Sequence, residues 1–319
     1  MAITKRDKEV NKMYSKKLLK LIDYSIDLIR KAEPVALRLS QRGFNLAFSG
    51  GKDSQVLYEL VKMAKVKYHA EFMVSTVDPI EQIHFIKRYY PDVHFNIPKL
   101  TMRQLIERQG ILPTRMARFC CAYYKETAGA GEVTLIGIRA EESYARSKRH
   151  EVETSRGRQA LHIDDGYLYK ATDDGNQLYG DARETAIYCV KGKDKITVAP
   201  IIHWSERDVL NFLKESKIPM CETYGLGIKR LGCLICPMST PTQKRLLTRL
   251  YPYVRDRIYV PAIQTLMDRG KYSNFRDAQD VYNWWISDLT VDEYEARRNQ
   301  YDDFYSRQHA DDARHQSDT

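Results

Sequence analysis

Residues Asn45 to Leu60 read NLAFSGGKDSQVLYEL. The first four are a short apolar run. From Asp53 onward the apolar positions Val56, Leu57, Leu60 and Val61 fall on one helical face. Between strand and helix stands SGGKDS. Two glycines at such a junction let the backbone turn sharply and come close to a ligand. Their amides, with those of the helix's first turn, form a ready anion site. Lys52 adds a point charge, Ser49 and Ser54 add hydroxyls, and Asp53 is placed to cap the helix or help hold Mg²⁺. The spacing is neither of the two familiar glycine-rich phosphate motifs.

Working outward from this junction, strands and helices alternate. YHAEFMVST and VHFNIPK are strand candidates, as is VTLIGI. IEQIHFIKRYY is a helix stopped by Pro91, and TMRQLIERQG is a helix ended by Gly110. Alternation of this kind predicts a doubly wound, parallel α/β sheet, with ligands beyond the carboxyl ends of the strands. SGGKDS, VSTVDP and GIRAEES all begin at such ends, which makes Thr76, Asp78, Gly137, Arg139, Glu142 and Ser143 candidates beside Ser49, Gly50, Gly51, Lys52, Asp53 and Ser54.

Residues 1–42 read as an amphipathic helical lead-in, which Pro34 is expected to interrupt. The nucleotide-binding region is expected over 43–245. It includes a turn-rich insertion at 150–195 whose Asp-Gly dipeptides suit tight hairpins. Ser205 is a candidate N-cap for a helix over 206–216 with Val209, Leu210 and Leu213 inward. Residues 246–319 read as mainly helical, with a disordered tail.

The chain has 319 residues and a formal net charge of +9, which favours phosphate-bearing partners, either a small nucleotide or a polymer. The first residues lack a secretory h-region, and no apolar run approaches a membrane span, so a cytoplasmic protein without membrane contact is expected. In a reducing compartment the six cysteines are not expected to form disulfides. Cys120 and Cys121 are adjacent, and Cys233 and Cys236 form a C-x-x-C. That pair alone reads as a redox dithiol, a zinc half-site or an iron–sulfur half-site. Together the four supply the thiolates that a tetrahedral zinc or a [4Fe–4S] cluster requires. Arg115, Arg118 and Lys125 are near enough in sequence to offset their charge.

SGGKDS resembles the pyrophosphate loop of the N-type ATP pyrophosphatases, which share the adenine-nucleotide α-hydrolase type of fold. A Cys-Cys pair and a later C-x-x-C after such a loop resemble the phosphoadenosine phosphosulfate (PAPS) and adenylyl-sulfate reductase family. LPTRMARFCCAYYK, LIGIRAEESYARSKR and PIIHWSERDVLNFLKESKIP are similar to three further segments of that family, in its order. The resemblance implies a [4Fe–4S] cluster on Cys120, Cys121, Cys233 and Cys236, with zinc as the alternative. It also implies an ATP or sulfonucleotide site with Mg²⁺, in which Lys52, Asp53, Arg139 and Arg146 serve catalysis.

The family's reductases use a cysteine near the C-terminus, and no cysteine follows Cys236 here. That favours the sulfurtransferase branch, similar in type to the ATP pyrophosphatase of DNA phosphorothioation systems. In that branch ATP adenylates a nucleic-acid phosphate, and sulfur from a cysteine desulfurase or another donor displaces AMP. Arginines over 139–158 suit a polyanionic acceptor or form a solvated face. Two alternatives remain. One is a sulfonucleotide reductase with an external electron donor, using Cys189 or Cys221. The other is a non-catalytic, nucleotide-dependent binding subunit.

Overall fold

The computed structural model describes residues 14–154, 158–164, 166–172, 175–178 and 195–300. The chain divides into two units: one comprises residues up to Pro98 together with Cys120–Gly232, the other Lys99–Phe119 together with residues from Cys233 onward. The segment 99–119, read above as part of the nucleotide-binding region, thus belongs with the C-terminal helices. Cys120 and Cys121 fall in the first unit, Cys233 and Cys236 in the second.

The first unit begins with α1 (Lys16–Leu39), capped by the Ser15 side chain. Pro34 lies inside this helix and does not split it. The buried stripe Leu18, Ile22, Ile29, Ala32, Val35 and Ala36 spans the proline on both sides, so packing outweighs the one lost backbone bond. Next come β1 (Phe44–Ala47), α2 (Lys52–Ala64), β2 (Tyr68–Met73), α3 (Ile80–Tyr89) and β3 (His94–Asn96). β4 (Val133–Leu135), β5 (Val152–Thr154) and β9 (Ile196–Val198) complete a six-stranded sheet of order β3-β2-β1-β4-β9-β5. All its pairings are parallel except β5 on β9. The doubly wound α/β fold therefore holds, with an antiparallel edge strand drawn from the segment read as an insertion. β6 (His162–Asp164), β7 (Tyr167–Thr172) and β8 (Gly175–Leu178) form a separate antiparallel sheet. Asp164 of β6 pairs with Tyr167 of β7, and Gly166 before it has φ +75°, while Asp165 lies outside the described residues.

Val56, Leu57, Leu60 and Val61 of α2 are fully buried against Phe44 and Leu46 of β1 and their neighbours. α4 (Glu206–Glu215) is capped by Ser205, whose side chain accepts from the Asp208 amide while Asp208 returns the bond. Its inward face is Val209, Phe212 and Leu213, whereas Leu210 is 39% exposed. The expectation for Leu210 fails because i, i+3 and i+4 share a face, and i+1 does not.

The second unit is helical over Met102–Gln109, Pro241–Leu250, Val260–Asp268 and Ala278–Ser287. Thr101 and Gln104 form a capping box at the first of these, and Gly110 closes it in the left-handed conformation at φ +73°. Among the described residues no helix is long and apolar enough to cross a membrane. Residues 301–319, expected to be a disordered tail, lie outside the described residues.

Candidate functional site

The strand order reverses between β1 and β4, and at such a switch point the connecting segments diverge to leave a crevice beyond the carboxyl ends. SGGKDS leaves β1 at that point and GIRAEES leaves β4. Gly50 has φ +69°, and a Cβ there would stand 2.8 Å from Ile86 Cγ1. Gly51 is the N-cap residue of α2 and has no side chain with which to cap it. Gly137 allows a close approach: a Cβ there would lie 3.0 Å from the Asp53 carbonyl. The two segments are therefore packed backbone to backbone.

Ser54 is turned into the loop. Its hydroxyl donates to the Gly51 carbonyl at 2.9 Å and lies 3.1 Å from Ser49 Oγ. Gln82 of α3 donates to the Ser49 carbonyl at 2.6 Å and fixes the loop from the other side. Lys52 Nζ pairs with Glu206 Oε1 at 3.1 Å, and the Lys52 amide donates to the Tyr224 hydroxyl at 3.0 Å. The hydrogen bond and charge of Lys52 hold the Glu206 carboxyl below its ordinary pKa. Burial pushes the Tyr224 hydroxyl up to about 12, so it stays protonated.

Asp53 does not cap α2. Its carboxylate accepts from Arg139 Nε at 2.5 Å. Arg139 is buried and also bonds Glu141, while its amide donates to Glu142 Oε2 at 3.0 Å. Burial alone works against its charge, but Asp53 carries its pKa above the ordinary value. Arg146 bonds Glu142, and its amide donates to Ser143 Oγ at 3.3 Å. Burial and then the charge of Arg230 push the Arg146 pKa down. Two arginines that repel each other beside a glycine loop are relieved by an anion.

Thr76 has φ +61°, a strained conformation for a β-branched residue. Asp78 next to it is buried, with its two oxygens accepting from the Ser75 amide at 2.6 Å and the Ser75 hydroxyl at 2.7 Å. Burial pushes its carboxyl up. Asp78 thus shapes its own loop.

Of the arginines over 139–158, three pair with carboxylates, Arg139 with Asp53, Arg146 with Glu142 and Arg149 with Glu153, while Arg158 is exposed. Tyr224, Glu206, Gln82 and Arg230 join the site without having been singled out in the sequence. Only Glu206 left a signal there, as the residue after the N-cap Ser205 at a strand's carboxyl end.

Cys120 is buried, and Cys121, Cys233 and Cys236 are partly buried, with no disulfide among them. The C-x-x-C holds Ile235 at φ +54°, a left-handed turn in a buried β-branched residue. Among the described residues, however, no group of three or more His, Cys, Asp or Glu is placed to hold a metal ion. The donor chemistry suits a cluster, and its two cysteine pairs belong to different units. Arg115, expected near the thiols, bonds Asp288 at 3.1 Å and the Ser239 carbonyl at 3.3 Å. Cys221 is 1% exposed, with Thr223 Oγ1 donating to its sulfur at 3.2 Å, so it is not placed as a mobile nucleophile. Cys189 lies outside the described residues.

A mostly parallel sheet with a glycine loop and cationic side chains at its switch point defines an α/β nucleotide-binding domain. Residues 43–239 match the phosphoadenosine phosphosulfate reductase domain, and the chain belongs to that family. It is similar to an adenosine 5'-phosphosulfate reductase of Oceanobacillus iheyensis, 28% identical over 60% of this chain and 69% of the relative. It is also similar to an uncharacterized protein of Methanocaldococcus jannaschii, 23% identical over 73% of this chain and 50% of the relative. The chain thus spans half the length of that relative. Among solved structures it is similar to a phosphoadenylyl-sulfate reductase from Candida auris in complex with phosphate. That likeness has TM-score 0.39 and 13% identity, and covers 69% of this chain and 96% of the other. Family membership rests on the domain match and not on this likeness.

Proposed function

We propose that this chain is an ATP pyrophosphatase that adenylates an acceptor for sulfur transfer, the acceptor being a nucleic-acid phosphate. The observation that carries the reading is the pairing at Lys52. A carboxylate, that of Glu206, sits on the ammonium of the lysine that follows Gly50 and Gly51, and a phosphate oxygen of a bound nucleotide would take its place. In this reading the amides of Gly50 and Gly51, Lys52 and Ser49 hold the β and γ phosphates. Arg139 and Arg146 neutralise charge developing at the α phosphate. Asp53 orients Arg139 and assists Mg²⁺ brought in with ATP, while Glu142 and Ser143 position Arg146.

The acceptor oxygen attacks the α phosphorus, the α–β bridging bond breaks and pyrophosphate leaves. Persulfide sulfur from a desulfurase or another donor then displaces AMP. A thiol reductant cleaves the remaining sulfur–sulfur bond. No step is routed through an iron–sulfur centre. An iron–sulfur centre on Cys120, Cys121, Cys233 and Cys236 is proposed alongside it, supported by the four cysteines in two motifs and by the left-handed turn at Ile235.

A second reading, reduction of a sulfonucleotide, is favoured by the match to an adenosine 5'-phosphosulfate reductase. Incubation of the chain with ATP and, separately, with adenylyl sulfate and PAPS, followed by nucleotide chromatography, tests both. AMP and pyrophosphate from ATP support the first. Sulfite with AMP or adenosine bisphosphate, in the presence of thioredoxin or glutathione, supports the second. Tight binding without turnover supports a binding subunit and overturns both. Anaerobic protein should carry about four irons per chain if the cluster is present, and a single zinc overturns that assignment.

A further inference from the structure

The second unit contains a cavity of about 360 Å³, within the range of small-ligand sites. Its walls include Arg115, Met116, Lys244, Trp284, Trp285 and Asp288. The two tryptophans end the helix Ala278–Ser287, and Asp288 follows as its left-handed C-cap at φ +59°. Both indole N–H groups are used internally: Trp285 donates to the Pro113 carbonyl at 2.7 Å and Trp284 to the Leu289 carbonyl at 3.0 Å. The rings are therefore held in place, and they offer the cavity apolar surface without a competing donor.

The charges are unbalanced. Lys244 is 1% exposed and pairs with Asp288, and Arg115 pairs with the same carboxylate at 3.1 Å. Two cations share one anion, leaving one positive charge on the wall. The segment that supplies Arg115 also carries Lys99, Arg103, Arg108 and Arg118 against the single carboxylate of Glu107. Met116 is 94% exposed, a flexible apolar side chain beside the basic approach.

Fixed aromatic walls with a positive excess suit a flat ring that carries an anion beside it. We propose that this cavity takes one unpaired base of a single-stranded nucleic acid, with Arg115 on the adjoining phosphate. Stacking of a base on an aromatic side chain tolerates any sequence, because every base has a π-face. This deepens the acceptor half of the proposed function and rests on it.

The test titrates the full chain with a short fluorescent single-stranded oligonucleotide and reads anisotropy and tryptophan emission over a range of salt. Binding should quench emission. Trp284→Leu should weaken it about tenfold, Trp284→Phe should retain most of the affinity, and Arg115→Gln should lower the salt slope by about 0.7. A duplex of the same sequence should bind more weakly, and Lys52→Ala should leave oligonucleotide binding unchanged. Circular dichroism melts establish that each variant is folded. If folded Trp284→Leu and Arg115→Gln bind like the parent, or the duplex binds as well as the single strand, the cavity assignment falls while the ATP reading stands. If ATP yields no AMP yet the variants show the expected pattern, the proposed activity falls and the cavity stands.

Discussion

At the carboxyl ends of the sheet, Lys52, Arg139 and Arg146 face Glu206, Asp53 and Glu142. Toward the amino ends, Arg42 and His69 face Glu132 and Glu71, with Arg42 at 2.9 Å from Glu132 and His69 at 3.4 Å from it. The side-chain chemistry is alike, and the backbone is not. At the carboxyl ends a glycine loop opens a helix, so backbone amides add to the cations and favour an anion. Among the described residues no such helix start adjoins the charges at the amino ends, and they pair with one another. Asn45 Oδ1, His69 Nδ1 and Thr134 Oγ1 there are buried without a partner among the described residues.

Mutations can break or sharpen this contrast. The largest effect should come from Gly43→Ala at the amino ends. Gly43 has φ +75°, and a Cβ there would lie 2.0 Å from the Lys67 carbonyl oxygen. Strain and the clash should cost about 3 kcal/mol or more in a denaturant melt, with nucleotide affinity of the folded fraction unchanged. Lys52→Ala should do the reverse. It should weaken ATP binding about a hundredfold, or about 3 kcal/mol by calorimetry, while stability moves by less than about 1 kcal/mol. If Lys52→Ala binds ATP normally, the carboxyl ends are not the site.

Glu132→Gln removes a carboxylate that accepts from Ser40 Oγ and Arg42. A loss of about 1–2 kcal/mol in stability is expected, with no change in ATP affinity. The smallest effect should be that of Glu206→Gln. Glu206 is 58% exposed, so stability should change by less than about 0.5 kcal/mol, while ATP binds about threefold more tightly once its competitor for Lys52 is neutral. The sign with pH follows from the depressed carboxyl. Its contribution is complete above the ordinary value of 4.5 and is lost as pH falls through the lower folded value. The difference between parent and variant should therefore vanish on acidification.

Much of the first unit was legible because its signals are local. The helical face of α2, the cap Ser205 and the glycines of SGGKDS each depend on neighbours a few residues away. Misreadings arose where a distant partner decided. Pro34 stays within α1 because a buried stripe runs past it, and Val152–Thr154 becomes a strand because β9 offers an edge. Arg149, read as surface, turns inward because Glu153 is buried and needs a cation.

The sequence by itself determined the alternation of strands and helices, the glycine loop after β1 and the pairing of four cysteines into two motifs. These follow from backbone preference and residue type, which act within a few residues. Only the tertiary structure decided that Glu206 and Tyr224 occupy Lys52, that Asp53 serves Arg139 and that Gln82 fixes the loop. It also decided that two tryptophans and two cations share a cavity in the other unit. Such partners lie tens to hundreds of residues apart, and the order of strands and the packing of helices, not local pattern, bring them within hydrogen-bonding reach.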